Sequence, residues 1–132
     1  MKKKYSWDYL IQFNFNPPNT NQLKRSTKMQ KEYDNYQKNP LNNLIFSRNL
    51  FYNNDILVFI KNRFPYNVAD NIAHYILFIN PKLKKKFTYI NIYKIIKQKY
   101  IHNNPFILFE NSPKNRSIKN ITHYHVFILK YL

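Results

Sequence analysis

With 132 residues, a formal charge of +16, no glycine and no cysteine, the chain is one domain's worth, long enough to bury about two thirds of the surface its unfolded form exposes. The lack of cysteine excludes disulfide staples, thiolate zinc sites and a cysteine nucleophile, so any metal ligand must be histidine, carboxylate or carbonyl. The apolar runs at 56–60 and 72–79 fall far short of the ~20 residues that cross a bilayer, so a soluble, cytoplasmic protein with no membrane partner is expected.

In chain order, the opening MKKKYSWDYLIQF sets basic residues before an apolar patch, but Asp8 and Gln12 interrupt it and no small-residue cleavage site follows, so it reads as the start of the fold. A short helical segment is expected over 6–13, broken by Asn16-Pro17-Pro18-Asn19. Ser26 is a good N-cap for a second helix whose stripe is Met29, Tyr33 and Tyr36. Asn39-Pro40 places a cap and a first-turn proline before a third helix with the stripe Leu41, Leu44, Ile45, Arg48 and Tyr52, which ends at the turn Asn53-Asn54-Asp55. Tyrosine and phenylalanine on these helices are expected to be core.

The period then becomes extended. Buried strands are expected over 56–60 and 72–79, joined by NRFPY, where Phe64-Pro65 forms a rigid bend presenting Asn62, Arg63 and Tyr66 beside the strand ends. A fourth helix over 88–99 and strands over 106–109 and 122–130 complete the set. The expected fold is a single α+β domain over 1–132, with N-terminal helices followed by a mixed or antiparallel sheet of about four strands carrying one further helix.

The end of the chain, ITHYHVFILK, holds the most chemistry. In a strand, residues two apart share a face at roughly 6.8 Å, which groups His123 and His125 with Ile121, Phe127 and Leu129. Imidazoles among apolar neighbours need partners, because burying them unpaired costs about 1–3 kcal/mol each. Satisfied core histidines and a working site both fit that pattern.

Four blocks, in order and spacing, resemble the fungal N-acetylglucosamine-induced protein family, a family of unknown activity with relatives in large DNA viruses. They are Leu23, Arg25, Ser26 and Tyr33; Asn62, Phe64, Pro65 and Tyr66; His74 to Phe78; and Phe109, Asn111, Arg116, Ser117, Ile118, His123, His125 and Val126. Phenylalanines stand where the family has tryptophan, Arg63 where it has an acid, and Asn67 where it has glycine. The string HYHVF also resembles part of the histidine-triad nucleotide hydrolase signature, with Ile121 at its first histidine.

Residue chemistry and resemblance converge on one constellation: His74, His123 and His125 as candidate catalytic groups, with Asn62, Tyr66, Asn111, Arg116 and Ser117 as ligand-binding groups. Guanidinium, imidazole, amide and hydroxyl donors with almost no acid suit a phosphorylated or nucleotide-like anion. A histidine would act as base, with His74 or Asn111 fixing its tautomer and Arg116 offsetting negative charge. No metal or cofactor is expected, since Glu110 is the one acid nearby in sequence. His102, in an HNNP turn, is expected in solvent, Asn62 and Asn111 have turn capping as their ordinary role, and Arg25 with Ser26 suits a helix cap with an ion pair.

The alternative is nucleic-acid association through Lys84, Lys85 and Lys86 beside Phe87, with Lys94, Lys97 and Lys99 downstream. Composition argues against reading purpose into that charge. Alanine, valine, aspartate and glutamate are scarce along with glycine, whereas lysine, asparagine, isoleucine and tyrosine abound, the pattern an A+T-rich coding sequence produces. Weak, sequence-independent contact with nucleic acid is the expectation, and a non-catalytic interaction module is the third reading.

Overall fold

A computed structural model describes residues 3–83, 85–111 and 121–131. Helix α1 (Trp7–Leu10) continues into a 3-10 turn (Ile11–Phe13), followed by α2 (Thr27–Gln37) and α3 (Pro40–Leu50). Strands β1 (Leu57–Lys61) and β2 (Ile72–Ile79), helix α4 (Tyr89–Lys99), and strands β3 (Phe106–Glu110) and β4 (His123–Leu129) complete the α+β fold. Every helix starts at a side-chain cap. Ser6 accepts from the Tyr9 amide, Ser26 from that of Met29 and Asn39 from that of Leu41, while Thr88 and Asn91 form a reciprocal capping box.

The sheet is antiparallel throughout, in the order β1-β2-β4-β3, so β2 and β4 are its central pair. Alternation along these strands divides the core into two layers. Leu77, Tyr124, Val126 and Leu108 face Ile92 and Ile96 of α4. On the other face, Ile72, Ile107, Phe109, Phe127 and Leu129 pack against Leu10, Phe13 and Leu23 of the N-terminal segment. His74, His123 and His125 belong to this second face.

The outer edge of β3 is closed by groups from outside the sheet. The Leu108 amide donates to Asn14 Oδ1 at 3.2 Å, the Phe15 amide donates to the Leu108 carbonyl at 2.8 Å, and the Glu110 amide donates to the Tyr89 hydroxyl at 3.0 Å. Phe15 does this at φ 57°, a left-handed conformation costly for a side chain of its size. Its ring stacks on Tyr89 at 5.1 Å between centroids. Asn54, in the turn before β1, is at φ 60°, whereas Asn67 does not enter that region.

The helical stripes depart from expectation. Leu41, Leu44, Ile45 and Tyr52 are 45–80% exposed and Arg48 lies in solvent with them. The inward side of α3 carries Asn43, Phe46, Ser47 and Leu50 instead, because the helix is held by Phe46 against Phe78 of β2 and by polar links to α2. Met29, Tyr33 and Tyr36 of α2 are half-buried rather than core, and Tyr33 and Tyr36 pack on Phe64. The α2–α3 hairpin therefore stands over the histidine face on a few aromatic contacts and does not fill the space beneath it.

Candidate functional site

That space is a cavity of about 380 Å³. Its floor is Ile76, Phe78, His123 and His125 from the central strands. Its roof is Tyr33, Tyr36, Gln37, Asn43 and Phe46 from the hairpin, and its walls are Arg25, Asn62, Arg63, Phe64, Tyr66 and Asn111. The bend at Phe64-Pro65 places Tyr66 over the histidines, with its ring 5.1 Å from that of His74 and 5.4 Å from that of His125.

One chain of hydrogen bonds fixes the protons of two histidines. The Tyr66 amide can only donate, and it does so to His74 Nδ1 at 3.2 Å, so the neutral His74 ring carries its proton on Nε2. That Nε2–H donates to His125 Nδ1 at 2.8 Å, which leaves the His125 proton on Nε2. His125 is 4% exposed, and its Nε2 has no hydrogen-bond partner among the described residues. Burial holds both rings neutral: it lowers the His74 pKa to about 3, with Arg25 assisting, and it lowers that of His125 well below the ordinary histidine value, with His74, His123 and Arg25 adding to the effect.

His123 is anchored differently. Its Nδ1–H donates to the Ile121 carbonyl at 3.0 Å, which makes Nε2 the acceptor for the Asn111 side-chain amide at 2.9 Å. Asn62 keeps a capping role, with its Oδ1 accepting from the Phe64 amide at 2.9 Å, while its Nδ2 lies 3.4 Å from both ring nitrogens of His74. Tyr66 lines the cavity, and its hydroxyl makes no hydrogen bond among the described residues. Burial raises its pKa despite Arg25 nearby, so it stays a phenol.

Arg25 is the residue sequence reasoning misjudged. Ser26 is a helix cap as expected, but Arg25 has no carboxylate partner among the described residues, where Lys4–Asp70 is the ion pair. Its guanidinium carbon lies 3.9 Å from the centre of the Tyr33 ring and 5.2 Å from that of Tyr66, and its Nε donates to the Phe64 carbonyl at 2.8 Å. One backbone bond and two aromatic faces thus hold the fork, and its terminal N–H groups make no hydrogen bond among the described residues. Arg63 is exposed, lies 4.9 Å from the Tyr36 ring centre and lines the same cavity as Lys61. The signal for Arg25 was its place in the Leu-x-Arg-Ser block one residue before a capped helix.

Arg116, Ser117 and Lys84 lie outside the described residues. Lys85 and Lys86 are exposed, with Lys85 Nζ 5.7 Å from the Phe87 ring centre, and Lys94 and Lys97 are exposed on α4. His102 is exposed as expected. Among the described residues no group of three or more histidine, cysteine or acidic side chains could hold a metal ion, and no helix is long and apolar enough to cross a membrane.

Fold and site together define a small α+β domain in which a helical hairpin roofs a sheet face carrying three histidines. The chain belongs to the family described as "Protein of unknown function (DUF3605)", whose model matches residues 6–129. It is similar to a crystal structure described as that of HTC1, with a TM-score of 0.64 and 16% sequence identity over 95% of this chain and 85% of that one. That likeness is one of fold. Comparison with curated proteins finds no match.

Proposed function

We propose that the cavity beneath the α2–α3 hairpin binds a phosphorylated or nucleotide-like small molecule. The observation that carries this reading is the Nε2–H of buried His125, which has no hydrogen-bond partner among the described residues, in a cavity that those residues line with Arg25, Lys61 and Arg63 and with no acidic side chain. A buried donor without a partner costs about 1–3 kcal/mol, and an anionic oxygen would satisfy it. Arg25 and the Tyr66 hydroxyl would supply the remaining donors.

The geometry favours recognition over turnover. His125 is held as a donor by a proton chain that ends at a backbone amide, and both nitrogens of His123 are engaged. Arg25 joins Arg116 and Ser117 as an anion-binding group, and Asn62 and Asn111 are positioning groups for His74 and His123. The finer placement among the N-acetylglucosamine-induced proteins of fungi and large DNA viruses, an intracellular location, and weak salt-sensitive contact of this +16 chain with nucleic acid are part of the same proposal.

Thermal denaturation against inorganic phosphate, nucleotides and sugar phosphates tests it. A ligand at a hundred times its Kd stabilises the folded state by about 2.7 kcal/mol. Arg25→Lys keeps the charge but loses the fork and the stack, and should abolish most of that shift. If no phosphorylated compound stabilises the parent protein, the reading fails.

A further inference from the structure

A second, larger cavity of about 910 Å³ adjoins the first. Arg25, Tyr66 and Asn111 line both, so the anion-binding donors stand at a junction rather than at a closed end. The larger space carries Lys24, Lys31 and Lys38 on its rim, all exposed, against Asp34 and Glu110. Asp34 already accepts a hydrogen bond from Gln30 at 2.9 Å. The smaller space has an aromatic lining, with Tyr36, Phe46, Phe64 and Phe78 around it, and its volume lies at the low end of small-molecule sites, which run to about 1,000 Å³.

Resting on the function proposed above, we infer that the ligand is a phosphodiester whose phosphate sits at Arg25, with a ring-bearing arm in the aromatic cavity and a second arm in the basic one. A phosphate monoester has one organic substituent and would leave one of the two spaces to solvent. A diester has two substituents, which diverge from its tetrahedral phosphorus, and two compartments meeting at a guanidinium suit that shape. The charges agree. A diester carries one negative charge, and the junction offers one permanent cation, Arg25, with the Tyr66 hydroxyl as a neutral donor and His125 in the lining of the smaller space beside it. The flat walls favour a nucleobase, since any base can stack on an aromatic face.

Calorimetric titration with three sets of probes tests this: the four nucleoside 5′-monophosphates, dinucleoside monophosphates of the same bases, and single strands of twelve nucleotides. Dinucleoside monophosphates should bind about tenfold or more tightly than monophosphates, a difference of about 1.4 kcal/mol. The double variant Lys31→Glu, Lys38→Glu, confined to the exposed rim, should reduce that advantage by weakening dinucleotide binding more than monophosphate binding. Twelve-residue strands binding as well as dinucleotides would identify the ligand as a nucleic-acid strand, and failing to bind would identify a free dinucleotide. Either result supports a diester. Monophosphates binding as tightly as dinucleotides would overturn the two-armed ligand while leaving the proposed anion site standing, and no binding by any probe would overturn both.

Discussion

Mild acid should destabilise this fold, and the paired histidines set the size of the effect. His74 is neutral in the folded protein with its pKa lowered to about 3, whereas in the unfolded chain an ordinary histidine takes up its proton near pH 6.5. Between those values the unfolded state binds the extra proton, so stability falls as pH falls. At pH 5 the His74 contribution lost is about 2 kcal/mol, from 1.5 pH units at about 1.4 kcal/mol each. His125 is shifted in the same direction by burial and by its neighbours and adds to the loss. Against a typical domain stability of 5–15 kcal/mol this is a large fraction. Urea unfolding followed by fluorescence of Trp7, the one tryptophan, at half-unit steps from pH 7.5 to 5 would measure it. NMR titration of the His74 ring should show it neutral at pH 5. Stability that is flat or rising on acidification, or a His74 ring that titrates near 6.5 in the folded protein, would refute the reasoning.

Three further outcomes are expected. Leu44→Ala, on the exposed side of α3, should change unfolding free energy by no more than about 0.5 kcal/mol, whereas Leu77→Ala, at a fully buried strand position, should cost about 2–5 kcal/mol by the same urea assay. Ser26→Ala and Thr88→Ala each remove a helix cap and should each cost about 1 kcal/mol, since Thr88→Ala keeps the backbone amide that donates to Asn91. Tyr66→Phe keeps the ring stacked on His74 and His125 and removes only the hydroxyl, so its melting temperature should match the parent's while the stabilisation given by a phosphate ligand shrinks.

The helix starts at Ser26 and Asn39 were legible because caps are local chemistry, each side chain satisfying an amide two or three residues on. The strands were legible from their β-branched and aromatic runs, and the shared face of His123 and His125 follows from strand parity alone. The face that α3 turns inward was not legible. Periodicity reports which residues are apolar, and here the apolar side meets solvent while the polar Asn43 and Ser47 are half-buried. The role of Arg25 was hidden for a related reason. Its partners, the Phe64 carbonyl and the rings of Tyr33 and Tyr66, lie up to 41 residues away along the chain, and a cation held by aromatic faces leaves no charge pattern in sequence. The proton chain through Tyr66, His74 and His125 depends on a backbone amide, which every residue but proline carries.

The sealing of β3 bears on how this chain avoids its own kind. A bare outermost strand is a template on which another copy can add its backbone and start a fibril. Along β3 the outward amides of Leu108 and Glu110 and the carbonyl of Leu108 are taken by Asn14, Tyr89 and Phe15, groups that cannot propagate a ladder. In a chain without glycine, a phenylalanine has to make the left-handed bend that brings this plug into place, and the Phe15–Tyr89 stack offsets the strain. Pairing at this border is thus opposed by a short pre-sheet segment, and damage there should surface as self-association before any loss of fold.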